Sequence, residues 1–127
     1  MDRERDIEAW LRRRIEDMGG LFLKFTSPGN AGVPDRLVVL KRGVVFVELK
    51  AENGVLTSLQ SYQIARLKKL RQHAVVVFGM DGAKEFLADL KELARGSDRL
   101  EELAVVYSTK DFTSIGCLMD VMEDDGK

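Results

Sequence analysis

The sequence predicts an α/β fold in which a mixed central sheet of about four strands is flanked by helices. Segments with helical periodicity alternate along the chain with short runs of β-branched residues, in the order αβββαβα. The chain has 127 residues, of which 45% are apolar, so it can bury the core of one compact domain.

The first helix is predicted over Asp2–Met18, where apolar residues recur at helical spacing. Gly19 and Gly20 end this helix, and a short strand follows over Leu21–Phe25. Residues 26–34 are rich in glycine and proline, with a serine and an asparagine among them. This composition is typical of an irregular loop.

A β-hairpin is predicted next. Two β-branched runs, Arg36–Leu40 and Val44–Lys50, are separated by residues 41–43, which include a glycine. The second run is almost entirely apolar and is therefore typical of a strand covered on both faces. Its charged residues are Glu48 and Lys50, both near its end.

Thr57 is predicted to cap a helix that reaches about Arg71, with Gln60 at the capping-box position. A buried strand over His73–Gly79 and an amphipathic helix over Gly82–Ala94 complete the pattern. Four apolar residues are expected to form the buried stripe of the Thr57 helix: Leu59, Tyr62, Leu67 and Leu70.

Residues 1–96 are therefore predicted to form the core domain, and residues 97–127 a C-terminal extension. Within the extension, Leu103–Ser108 and Ile115–Met119 have the pattern of two further strands. Because this apolar stretch lies outside the core order, it is a candidate for dimer contacts.

Composition favours a soluble protein of a reducing cytoplasm. No apolar run approaches the roughly 20 residues that a membrane span needs. The first residues lack the apolar stretch of a secretory signal, and the single Cys117 has no intrachain partner for a disulfide.

The net charge of -1 does not exclude nucleic acid as a partner, because the charge is unevenly distributed. Residues 1–97 contain 17 Lys and Arg against 13 Asp and Glu, whereas residues 98–127 contain 3 against 8. The basic excess therefore lies with the predicted core, and local charge decides binding to a polyanion.

Glu48 and Lys50 stand two positions apart on a strand, so their side chains leave the same face of the sheet. Burying either group without a partner would cost several kcal/mol, so the pair needs a counter-ion, a substrate or a cavity. If Arg42 and Gly43 form a two-residue turn, Asp35 lies opposite Lys50 and beside Glu48 on that face.

Two carboxylates beside an ammonium group suit the hydrolysis of phosphodiesters with Mg²⁺ or Mn²⁺. Asp35 and Glu48 would hold the ion, the carbonyl of Leu49 could supply another oxygen, and Lys50 would orient or deprotonate the water. A Glu-x-Lys pair alone is more often a solvated pair. The carboxylate of Asp35, placed between a bent loop and the hairpin, makes the pattern far more specific.

At these residues the sequence resembles the PD-(D/E)XK nucleases, and within them the VRR-NUC (virus-type replication-repair nuclease) family. The resemblance is carried by the stretch from Gly20 to Arg36, by Phe46–Ala51 and by Leu59-Gln60, and it extends over roughly residues 4 to 80. It implies the restriction-endonuclease-like core order αβββαβ and a nuclease centre at Asp35, Glu48 and Lys50.

The resemblance also implies roles for two residues on helices. Glu8 would be an acidic, metal-binding residue of the first helix, and Gln60 a supporting active-site residue. Spacing alone allows other roles: Glu8 can form a surface pair with Arg12 at i,i+4, and Gln60 can be only a capping residue. The resemblance favours the active-site role for both.

Four residues around the glycine-rich loop are candidates for phosphate contacts, because such a bend exposes backbone N–H groups beside them. As residues of a solvated loop they would need no function. They are Lys24, Ser27, Asn30 and Arg36.

The predicted function is that of a DNA endonuclease acting on branched DNA. In the family, short chains of this kind are associated with phages, form homodimers and are similar to Holliday-junction resolvases. The resemblance thus implies a homodimer in the cytoplasm of a bacterial or phage-infected cell. The alternatives are a flap or nicking nuclease, a subunit of a larger repair or restriction assembly, a non-catalytic DNA-binding module and a purely structural protein.

Overall fold

The structure of the protein is a computed structural model, which describes residues 2–95 and 103–108. The predicted order of elements is confirmed, and each helix and strand lies within a few residues of its predicted position. The elements are α1 Glu4–Asp17, β1 Leu21–Lys24, β2 Arg36–Leu40, β3 Gly43–Lys50, α2 Ser58–Lys69, β4 His73–Phe78, α3 Gly79–Ala94 and β5 Val106–Tyr107.

The strands form one mixed sheet in the order β1-β2-β3-β4-β5. β1, β2 and β3 are antiparallel neighbours, whereas β4 and β5 each run parallel to the strand before them. The parallel strands are joined by crossovers that contain α2 and α3. The prediction of an α/β fold with a mixed sheet is therefore confirmed, with five strands rather than four.

Helices cover both faces of the centre of the sheet. Side chains alternate along β3, so Val45, Val47 and Leu49 join the main core with α1 and α3. On the opposite face, α2 contributes Ile64 to a smaller core. The other residues of this core are Leu56, Ala74, Val76 and Phe78, with Phe46 partly buried beside them. Glu48 and Lys50 share this second face with Phe46.

The predicted buried stripe of α2 is wrong in three of its four residues. Leu59, Tyr62 and Leu70 are exposed, and only Leu67 is partly buried. The buried side is instead formed by Ser61, Gln63, Ile64 and Ala65. The helix is therefore rotated relative to the prediction, because a stripe at helical spacing does not reveal which side faces the sheet when polar residues also become buried.

The predicted strand over Leu103–Ser108 is confirmed in part, as β5. Leu103 and Tyr107 belong to the main core, and the Tyr107 hydroxyl donates to Asp89 at 2.6 Å. This part of the predicted extension therefore completes the sheet rather than lying outside the core order. The other predicted strand, Ile115–Met119, lies outside the described residues.

Among the helices of the described ranges, none combines the length and the apolar character that a membrane crossing requires.

Candidate active site

The β2–β3 hairpin has a turn one residue earlier than predicted. Leu40 pairs with Gly43, so Lys41 and Arg42 form the turn. Each residue of β2 therefore pairs with a β3 residue two positions earlier than predicted. Because side chains alternate with a period of two, an even slip leaves every residue on its predicted face.

The observed register places Asp35 opposite Glu48 rather than opposite Lys50. The last described pair of the hairpin is Arg36 with Val47, and the next position along each strand is Asp35 and Glu48. The backbone N–H of Phe25 donates to the carbonyl of Asp35 at 2.8 Å, so the backbone groups of Asp35 face β1. Asp35 and Glu48 then face each other without backbone hydrogen bonds, the arrangement in which opposite side chains are closest.

Glu48 is a buried acid with a strongly raised pKa. Its side chain is 6% exposed, and its Oε2 lies 4.0 Å from Nζ of Lys50. Burial raises the pKa of Glu48 to about 7, and the charge of Asp35 adds to this effect, while Lys50 and Arg36 oppose it. Near neutral pH this carboxyl group therefore binds either a proton or a cation favourably.

One carboxylate oxygen of Asp35 is paired with Arg36, and the other has no partner among the described residues. Its Oδ2 forms an ion pair with Nη1 of Arg36 at 3.0 Å. Its Oδ1 is buried and has no hydrogen-bond partner in the described part of the chain. Since buried polar atoms are nearly always satisfied, an unpartnered carboxylate oxygen opposite a second carboxylate fits a bound cation.

The donor set suits a hard divalent ion that retains water. No group of three or more His, Cys, Asp or Glu able to hold a metal occurs within residues 2–95 and 103–108. Mg²⁺ is commonly held by one or two carboxylates, waters and substrate phosphate. Val47 is the last β3 residue paired with β2. Backbone groups alternate in direction along a strand, so the carbonyl of Leu49, two residues later, also points toward the β2 side of β3. The residues present therefore fit Mg²⁺ or Mn²⁺.

On α1, the residue whose negative charge affects the pKa of Glu48 is Glu4, not the predicted Glu8. It further raises the pKa of Glu48. Glu8 instead accepts from Nε of Arg12 at 2.9 Å and from Nη2 of the same guanidinium, and Arg12 also donates to the carbonyl of Phe22. The i,i+4 pair is thus present, and the active-site role of Glu8 stays a prediction. Glu4, one helical turn earlier, could have been found from the same spacing.

Gln60 occupies the capping box of α2. Its Oε1 accepts from the backbone N–H of Thr57 at 2.9 Å, and its own backbone N–H donates to Oγ1 of Thr57 at 3.1 Å. The capping role is therefore present in the structure, and the active-site role of Gln60 stays a prediction.

The four candidate phosphate contacts have different environments. Lys24 is exposed. Ser27 accepts a hydrogen bond from the amide of Asn30 at 2.9 Å, so these two residues stabilise the turn of their own loop. Arg36 is 11% exposed, and its guanidinium binds both the carboxylate and the carbonyl of Asp35. Its position therefore favours orienting Asp35 over contacting phosphate.

Comparisons with known proteins place the chain in a family. No family model matches it. A phage protein provisionally named nuclease p44, from Acyrthosiphon pisum secondary endosymbiont phage 1, is 42% identical over 80 residues, which are 62% of this chain and 86% of the relative. A solved structure described as a VRR_NUC domain is 31% identical with a TM-score of 0.62, covering 67% of this chain and 94% of its own. The chain belongs to the VRR-NUC nuclease family.

The VRR-NUC assignment confirms the family resemblance seen in the sequence and the PD-(D/E)XK type of core that it implied. Both relatives match over most of their own length. The likeness therefore concerns the nuclease fold as a whole rather than an isolated motif.

We expect the metal-free VRR-NUC protein to lose stability as the pH rises from 5 to 8. The pKa of Glu48 is about 7 in the folded protein against an ordinary value of 4.5. The folded state therefore keeps a proton that the unfolded state has released. This stabilisation is complete below the unfolded pKa and is lost as the pH rises through the folded one. The change is on the order of 3 kcal/mol and is measured by urea unfolding in EDTA.

Glu48→Gln is the control for this pH dependence, because an amide cannot titrate. The variant should lose much less stability than the wild type between pH 5 and pH 8. Parallel pH profiles for the two proteins would show that Glu48 does not have a raised pKa.

We also expect Thr57→Ala and Gln60→Ala to differ. Each removes one hydrogen bond of the capping box, so each should lower the free energy of unfolding by about 1 kcal/mol. If Gln60 supports the active site, only Gln60→Ala should also slow DNA cleavage at a temperature where both variants are folded. Equal cleavage by the two variants would restrict Gln60 to the cap.

Proposed function

We propose that this VRR-NUC protein is a Mg²⁺- or Mn²⁺-dependent endonuclease that hydrolyses DNA phosphodiesters. The observation that carries the proposal is the buried, unpartnered Oδ1 of Asp35, which lies opposite the buried carboxyl group of Glu48. A folded protein retains such a costly pair most readily where a cation and a phosphate group bind.

Asp35 and Glu48 would hold the ion, together with the carbonyl of Leu49. When bound, a divalent cation lowers the pKa of a water molecule and neutralises charge that develops on the phosphate. Arg36 engages Oδ2 of Asp35 and leaves Oδ1 for the ion. Because its pKa is about 7, Glu48 would release a proton over much of the neutral range in order to hold the ion.

Lys50 would not bind the metal but would act on the water and the phosphate. Its ammonium group lies 4.0 Å from Glu48 and is 17% exposed, so it is held at the edge of the carboxylate pair. From this position Lys50 donates a hydrogen bond to the attacking water and places positive charge beside the phosphate. A protein that only binds DNA would not need the buried carboxyl group of Glu48 opposite an unpartnered oxygen of Asp35, which disfavours the non-catalytic alternative.

For the substrate, we propose branched DNA cut by a homodimer. The support is the family resemblance, together with the symmetry argument that a two-fold dimer with two centres suits a junction of pseudo-two-fold symmetry. Such a protein would act in the cytoplasm of a bacterial or phage-infected cell. The same centre would also serve a flap or nicking nuclease, or a subunit of a larger assembly.

The test is cleavage of a matched panel of four-way junction, flap, splayed and linear duplex DNAs, with Mg²⁺, Mn²⁺ or EDTA. Paired symmetric cuts in the junction, together with a dimeric mass in solution, would support the resolvase-like proposal. Metal-dependent cuts only in flaps or linear DNA would keep the chemistry and discard the resolvase role. Failure to cut any of them would favour a binding module or a missing partner.

A further inference from the structure

Helix α2 holds the loop that leads into Asp35. The side chain of Gln63 is buried, and its Nε2 donates to the carbonyl of Ala31 at 3.0 Å. The next residue, Gly32, has a φ of 85°, and a Cβ there would lie 2.7 Å from Cγ of Leu59. The loop is therefore in direct contact with α2 at two successive residues, shortly before Asp35.

The amide of Gln63 has a defined orientation. Nη1 of Arg66 donates to Oε1 of Gln63 at 3.2 Å. A guanidinium can only donate, so the oxygen of the amide must face Arg66 and the nitrogen must face Ala31. The guanidinium of Arg66 is itself placed over the ring of Tyr62, 5.5 Å from its centroid. Gln63 is thus a fixed donor rather than a mobile surface amide.

The carboxylate of Asp35 depends on its backbone for its position. Among the described residues, Oδ1 has no hydrogen-bond partner, and Arg36, which holds Oδ2, is the adjacent residue in the chain. The β1 ladder holds Asp35 from one side, through the N–H of Phe25. On the other side the loop contains two glycines in the left-handed region, at positions 29 and 32, so it needs an outside contact to restrict it.

We propose that Gln63 is a positioning residue of the nuclease centre, which sets the place of Asp35 relative to Glu48 by anchoring the loop at Ala31. This inference rests on the proposed function, because it assigns Gln63 to the same metal-binding centre. Gln63 acts through the loop and does not itself touch the metal or the DNA.

The test compares Gln63→Met with Gln72→Met. Methionine keeps the length of the side chain but cannot donate to a carbonyl. Gln72 is a matched control, because its Nε2 also donates to a backbone carbonyl, that of Leu70 at 3.2 Å, at the opposite end of α2. Mn²⁺ affinity is measured by calorimetry without DNA, and kcat and KM are measured separately.

Gln63→Met should weaken Mn²⁺ binding about 10-fold and lower kcat at a fixed Mn²⁺ concentration, with little change in KM for DNA. Gln72→Met should leave all three unchanged. If Gln63→Met does not fold, Gln63→Glu replaces it, because a carboxylate can still accept from Arg66 but cannot donate to Ala31.

The two failures are distinguishable. If the wild type binds Mn²⁺ and cleaves DNA while Gln63→Met behaves like Gln72→Met, the positioning role is overturned and the nuclease function stands. If the wild type neither binds Mn²⁺ nor cleaves DNA, the proposed function fails, and the role of Gln63 fails with it.

Discussion

Lys50→Ala should lower the rate of DNA cleavage about 1000-fold while leaving the affinity for DNA within a few-fold of the wild type. Lys50 provides positive charge beside the carboxylate pair, and removing it leaves Asp35 and Glu48 in place. A DNA duplex is bound through many phosphate contacts, so the loss of one ammonium group changes binding much less than it changes catalysis. Single-turnover cleavage and equilibrium DNA binding measure the two effects.

Lys84→Ala is the matched control, since Lys84 is an exposed lysine of α3. It should cleave DNA at the wild-type rate. If Lys50→Ala cleaved as fast as Lys84→Ala, Lys50 would have no catalytic role, and the assignment of the centre would have to be abandoned.

Asp35→Asn should abolish detectable Mn²⁺ binding at concentrations that saturate the wild type, with a loss of affinity on the order of 100-fold. The substitution keeps the shape of the side chain but removes one of the two negative charges that face the ion. It should not unfold the protein. Burial would still raise the pKa of Glu48, but without the added repulsion from Asp35.

Asp81→Asn provides the comparison for this experiment, because Asp81 is an exposed carboxylate on α3. Calorimetric titration with Mn²⁺ should give the wild-type affinity for this variant. Retained tight binding in Asp35→Asn would mean that the ion is held elsewhere or that Asp35 is not a ligand.

The order of helices and strands was predictable because local patterns determine it. The β-branched runs before and after residues 41–43 specify a hairpin, and Gly19 and Gly20 end the first helix. Alternation with a period of two places Glu48 and Lys50 on one face, and a two-residue turn within residues 41–43 adds Asp35 to that face. The exact pairing was missed, because the sequence allowed two positions for the turn, and both of them preserve that face.

Features that depend on tertiary packing could not be predicted. The buried side of α2 includes Ser61 and Gln63, and their burial depends on contacts that include the bond from Gln63 to Ala31, 32 residues away in the chain. On α1, Glu8 and not Glu4 was singled out from the sequence. Only the folded structure shows that Arg12 engages Glu8 while the charge of Glu4 acts on Glu48.

The most direct test of the central claim is to locate the metal in crystals of the protein soaked in Mn²⁺, by anomalous scattering. We expect a peak between the carboxylates of Asp35 and Glu48, within about 2.0–2.3 Å of an oxygen of each. The same peak should be absent from crystals of Asp35→Asn. A wild-type crystal saturated with Mn²⁺ that shows no peak between these two carboxylates would contradict the assignment of this site as the metal centre of the nuclease.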